Sequence, residues 1–247
     1  GMNASYVLGQ GTFTANTAAT TQAGLNNPIN VLYDSTNSRL FVSDSNRVTV
    51  YDLSNGITNG MNASYVLGQG TFTANTASVT TQSGLSAPAG LAYNPVHQRL
   101  YVAHVGGVYV FDVSTSTMSN GMNAVYVFGK TGFGNNVPSV SSSQRSVSSA
   151  QGLSYDVTNH KLFVVQTGSS GNRVTIFDAQ SAGANTATVD FPSASYVIGQ
   201  NSFTESASAL TQSGTDDPQR LSYDSVNKRL FVSENDTHRV MVYDLSS

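Results

Sequence analysis

Short runs of alternating apolar and polar residues recur along the chain, each closed by Asp, Asn, Ser or Gly. None continues into the three-to-four spacing of a helix. The first type of run is Val31-Leu32-Tyr33-Asp34, met again as Leu91-Ala92-Tyr93-Asn94, Leu153-Ser154-Tyr155-Asp156 and Leu221-Ser222-Tyr223-Asp224. A turn such as Ser35-Thr36-Asn37-Ser38 leads to the second, Arg39-Leu40-Phe41-Val42, with counterparts at Arg99, Lys161 and Arg229. The aromatic and β-branched residues of that run suit a pleated sheet, and the short turn predicts an antiparallel hairpin. A third run begins at Val48, Val108, Val174 and Val240 and ends in Asp52, Asp112, Asp178 and Asp244. The fourth is Tyr65-Val66-Leu67-Gly68, with Tyr126 to Gly129 and Tyr196 to Gly199 as its later copies and Tyr6-Val7-Leu8-Gly9 opening the chain.

These four runs form one unit, and the unit repeats. Gly1 to Ala18 returns almost unchanged at Gly60 to Ala77, and two more worn copies follow. A unit of four short strands repeated four times predicts an all-β fold, a β-propeller with four four-stranded blades, because a sandwich has no reason to reuse the same side chains in each unit. The reading is of one propeller domain over 1–247, with repeats at about 1–59, 60–120, 121–190 and 191–247. The chain opens on a fourth strand and ends on a third. The expectation is therefore that the Tyr6 to Leu8 strand closes the last blade, in the same chain or in a neighbouring one, which hides sheet edges and allows a homo-oligomer through strand exchange.

Composition narrows the function. Charged residues are only 10% of the chain and the formal charge is -3, so no basic field exists to hold a phosphate backbone, and nucleic acid is not an expected partner. There is no Cys, hence no disulfide and no thiolate metal site. No apolar run is long enough for a membrane helix, and no signal segment is present. Sequons at Asn3, Asn62 and Asn235 are what a chain rich in Asn, Ser and Thr produces by chance.

Pro88-Ala89-Gly90-Leu91-Ala92-Tyr93, Arg99-Leu100-Tyr101-Val102-Ala103 and the starts Asn46-Arg47-Val48 and Asn172-Arg173-Val174 make the repeat resemble the NHL-repeat β-propeller family. The similarity spans all four copies. Blade length and blade number depart from the family's usual shorter repeat and six blades. The resemblance implies that Arg47, Arg173 and Arg239 support loops; the second copy has Gly107 there.

Chain direction puts the turn between second and third strands on the same face as the long connection from the fourth strand to the next unit, about 11–27 and 70–87. Gln22, Gln82, Gln144 and Gln212 recur in those connections and are expected to be buried and bonded to backbone. At the end of the second strand the copies diverge, placing Asp44, His104, Gln166 and Glu234 at one position. Two readings stand: polar groups that cap the adjoining turn, or a binding site on that face. His97, His160 and His238 are expected to face solvent. No catalytic residue, metal ligand or cofactor is assigned. The leading expectation is a noncatalytic binding or assembly scaffold for a protein or glycan, extracellular or at a cell surface. The alternatives are an NHL-like lyase or lactonase and a segment of a longer propeller.

Overall fold

The structure, a computed structural model, describes residues 1–130, 132–133, 144–169, 171–179 and 192–246. Much of the third long connection, Ser170 and the boundary between the third and fourth repeats lie outside the described residues. The described residues contain strands and turns and no helix.

Among the described residues fifteen strands form four antiparallel sheets. Blade 1 is β1 (Pro28–Asp34), β2 (Arg39–Asp44), β3 (Arg47–Asp52) and β4 (Tyr65–Leu67), paired in that order. Blade 2 is β5 (Leu91–Asn94), β6 (Arg99–His104), β7 (Gly107–Asp112) and β8 (Tyr126–Phe128). Blade 3 is β9 (Ala150–Asp156), β10 (Lys161–Gln166), β11 (Arg173–Asp178) and β12 (Ala194–Ile198). Blade 4 has three strands, β13 (Pro218–Asp224), β14 (Arg229–Glu234) and β15 (Arg239–Asp244).

Local chemistry fixes the first turn of each blade. The Asp34 carboxylate accepts the Thr36 and Asn37 N–H groups and the Asn37 side-chain amide, and Asp156 and Asp224 repeat the arrangement with Asn159 and Asn227. Ser38, Gln98, His160 and Lys228, which end these turns, all have φ near +50°. The core lies between blades. Leu32, Phe41, Val48, Val50 and Leu67 of blade 1 meet Leu91, Leu100, Val102 and Phe111 of blade 2. Equivalent clusters join blade 2 to blade 3 and blade 3 to blade 4. The first strands β1, β5, β9 and β13 touch in series and form the inner wall, with no comparable contact from β13 back to β1.

That opening corrects the same-chain form of one expectation. The Tyr6 to Leu8 segment does not close blade 4 within the chain; it packs on the outer face of blade 1. Leu8 and Leu25 cover Val42 and Tyr51. The Val7 N–H donates to Asn59 Oδ1 and its carbonyl accepts the Gly60 N–H, each at 3.0 Å. Val66 makes the same two bonds to Asn120 and Gly121, so the opening segment behaves as the fourth strand of a blade that would precede blade 1. Contacts close in sequence win over pairing with β15, which would require closing a far longer loop across an open arc.

Candidate functional site

The long connections and the turns between second and third strands do share a face, and side chains of those turns fasten the connections. Asn46 Oδ1 accepts the Ala87 N–H at 3.0 Å, its Nδ2 donates to Asn75, and its carbonyl accepts Gln69 Nε2 at 2.8 Å. Asn172 does the same work in blade 3: Oδ1 accepts the Asp217 N–H, Nδ2 donates to the Ser206 carbonyl, and its own carbonyl accepts Gln200 Nε2 and Thr215 Oγ1.

The four divergent residues lie just beneath this surface. Asp44, His104 and Gln166 are fully buried and Glu234 nearly so, each at the end of its own blade's second strand. Asp44 Oδ1 accepts the Asn26 N–H at 2.6 Å, and Oδ2 pairs with Arg47 at 2.7 Å, both side chains having no exposure. The Arg47 guanidinium also donates to the Thr21, Gly24 and Phe72 carbonyls, tying two connections to one hairpin. Gln166 accepts the Ser148 N–H and Arg173 Nη2, and Glu234 accepts the Asp216 N–H and pairs with Arg239 at 2.5 Å. Burial raises the Asp44 pKa above its usual value, and the bonds from Arg47 and Asn26 only partly oppose it.

Blade 2 solves the problem with different residues. Gly107 replaces the Arg, and a Cβ there would run into the Phe128 carbonyl at 2.5 Å. Lys130 fills the space instead: its buried Nζ donates to the Val79 carbonyl at 2.6 Å and lies 5.5 Å from the centre of the Tyr109 ring. His104 meets Tyr109 edge-on at 4.2 Å, and its Nδ1 accepts the Gly106 N–H. Burial, with the Lys130 charge added, pushes His104 down to about 3, so the ring is neutral at physiological pH.

Sequence reasoning singled out the four positions but not Lys130 or Tyr109, and it met Asn46 and Asn172 only as marks of the repeat, with no role assigned to them. A signal for Lys130 existed: it stands where the other copies have Gln10, Gln69 and Gln200, and it follows β8 of blade 2, the blade that has Gly107 in place of the Arg. Two of the four recurring glutamines bond to backbone, Gln22 to the Ala63 carbonyl at 2.9 Å and Gln82 to that of Ala124 at 2.7 Å, and all four are exposed rather than buried as expected. His97 and His238 are exposed as expected. His160 is half-buried, its Nδ1 3.0 Å from the Tyr155 hydroxyl. Among the described residues no group of three or more His, Cys, Asp or Glu converges as a metal site would require.

A cleft of about 390 Å³ opens on the opposite side of the inner wall, lined by Tyr33, Asp34, Tyr93, Ser154 and Tyr155 among others. Its buried carboxylate is engaged. Asp34 pairs with Arg39 at 2.7 Å and accepts the Tyr93 hydroxyl at 3.0 Å. Burial would raise the Asp34 pKa, but the bonds from Arg39, Asn37 and Tyr93 outweigh it and hold the carboxyl below its usual value.

The chain is similar in structure to Kuenenia stuttgartiensis hydrazine synthase, with 12% identity and a TM-score of 0.53, over 95% of this chain and 49% of that one. The fold is a β-propeller. At this identity the likeness shows the fold alone, and the propeller described here spans about half the length of that chain. No family model matches the sequence, and no curated protein matches it.

Proposed function

We propose that this propeller is a noncatalytic binding scaffold of NHL-repeat type, working outside the cell or at its surface, whose long-connection face meets a protein or glycan. The observation that carries the reading is the use made of Asp44, His104, Gln166 and Glu234. Each is spent inside its own blade on a turn, a connection or a buried cation, so differences among the blades reach the surface as differences in loop shape. That surface is composed mainly of Thr, Ser, Asn and Gln, as at 11–22 and 70–83, which offers neutral donors and acceptors and little charge. The Asn-Arg starts of the NHL-like repeat support the reading, because Asn46 with Arg47 and Asn172 with Arg173 lock those loops in place.

The test is to probe the purified chain on glycan and peptide arrays and to map the footprint of a hit by hydrogen exchange. Protection of 11–22 and 70–83, with Asn37→Ala binding as well as wild type and Glu234→Ala binding less, supports the proposal. Protection centred on the 35–38 turn overturns the assignment of the face. Stoichiometric metal in the purified protein, lost in His104→Ala, overturns the noncatalytic reading.

A further inference from the structure

The two ends of the blade series expose complementary surfaces. In blades 1 to 3 the third-strand residues Val48 and Val50, Val108 and Val110, and Val174 and Ile176 are all buried against the next blade. Their counterparts in blade 4, Val240 and Val242, are 60% and 55% exposed. On the other side, Leu91 with Tyr93, Leu153 with Tyr155 and Leu221 with Tyr223 pack against the preceding blade. Their counterparts in blade 1, Val31 and Tyr33, are 64% and 55% exposed.

An aromatic pair marks every internal interface. A second-strand ring meets the first-strand Tyr of the next blade: Phe41 with Tyr93 at 6.2 Å, Tyr101 with Tyr155 at 5.2 Å, and Phe163 with Tyr223 at 4.7 Å. The residue closing each first strand also serves the next Tyr: Asp34 accepts from Tyr93 and Asn94 donates to Tyr155, and Asp156 is near enough to Tyr223 to help raise its pKa, after burial. Phe231 and Asp224 come next in these two series, and the first-strand Tyr left without a preceding blade is Tyr33.

We propose that a second copy of this chain docks head to tail on the first, and that two copies close into one ring of eight blades. Phe231 and Asp224 of one copy then receive Tyr33 of the other, and Val240 and Val242 cover Val31. The backbone completes itself in the same step. In blade 1, β3 and β4 pair as Val48 with Leu67, Thr49 with Val66 and Val50 with Tyr65. The same register pairs Val240 with Leu8, Met241 with Val7 and Val242 with Tyr6 of the second copy, making that segment the fourth strand that blade 4 lacks. The segment is already set for this role, since its bonds to Asn59 and Gly60 are those that β4 makes to Asn120 and Gly121 while paired with β3. Such a contact joins different surfaces, so it must close into a ring or run on as a filament. Eight blades fall within the range of about four to eight that propellers adopt, and twelve do not.

The chain has no Cys, which gives a clean test. Light scattering is expected to give twice the 26.0 kDa mass of the chain, and both Val31→Asp and Val242→Asp are expected to give monomers. These positions are exposed, so folding should persist, as far-UV circular dichroism will check. Tyr33→Cys/Phe231→Cys treated with a short bismaleimide should yield a covalent dimer, and Tyr33→Cys alone should not. Mixing the two Asp variants restores one intact interface and should return part of the dimer. A monomeric wild-type chain, as expected if further blades of a longer polypeptide fill these faces, overturns the proposal. So do a crosslinked ladder beyond the dimer and a dimer indifferent to both Asp variants. None of these outcomes depends on whether the long-connection face binds a ligand.

Discussion

His104 is buried with its Nε2 unpartnered, and because Nδ1 accepts the Gly106 N–H, Nε2 carries the proton of the neutral ring. A second proton would place a cation next to the Lys130 ammonium, away from water. With the folded pKa near 3 and an unfolded value near 6.5, the unfolded chain binds the extra proton below pH 6.5 and the folded chain does not. The contribution is therefore complete above pH 6.5 and is lost as pH falls towards 3, at about 1.4 kcal/mol per pH unit. Urea titrations at pH 7.5 and 5.0 should show a smaller loss in His104→Gln than in wild type, the substitution borrowing the Gln166 solution of blade 3. Equal losses would remove His104 as a source of acid sensitivity. Glycine offers a second test at this scale. Gly68 has φ +87°, and a Cβ there would lie 2.7 Å from Leu85, so Gly68→Ala should cost about 1–3 kcal/mol. Gly70→Ala, with nothing within 4 Å, should leave the melting temperature unchanged.

At the scale of the element, the strands were readable because each is short, alternating and bounded by its own turn chemistry. Every run beginning at Val31, Arg39 or Val48, with its counterparts, lies within an observed strand. The partner of the opening segment was not readable. Tyr6-Val7-Leu8-Gly9 has the composition of a fourth strand whichever sheet it joins, and what decides is the reach of Leu8 to Leu25 and of Val7 to Asn59. The roles of the divergent residues were half readable. The position was visible as a break in the repeat, but Asp44 looks like a surface carboxylate until Arg47 is seen to bury with it. Arg47→Ala should destabilise blade 1 by about 3–5 kcal/mol, since it strands Asp44 and frees three carbonyls. Arg239→Ala, at a site where the Arg side chain is 29% exposed, should cost less. Equal losses in thermal or urea unfolding would contradict this account of the buried pair.

At the scale of the molecule, an open series of blades is a one-dimensional system in which each unit is stabilised by its neighbours. Blade 2 has a neighbour on both sides, and every described side chain of β6 is buried. Blade 4 has one neighbour, and β15 alternates between half-buried and exposed positions along its whole length. Local opening free energies should follow the same order, highest in β6 and β7 and lowest in β14 and β15. In the Val242→Asp variant, where the end face cannot be covered by a second copy, amides of β15 should exchange fastest among the strands and should do so at every protein concentration. In the wild-type chain the protection of β15 should rise with concentration, and that of Val7 and Leu8 should rise in step, because one pairing orders both segments. Exchange followed by mass spectrometry over a dilution series reads both. Protection of β15 that matched β6 at every dilution would mean that the end of the series is closed within one chain, against the topology seen here.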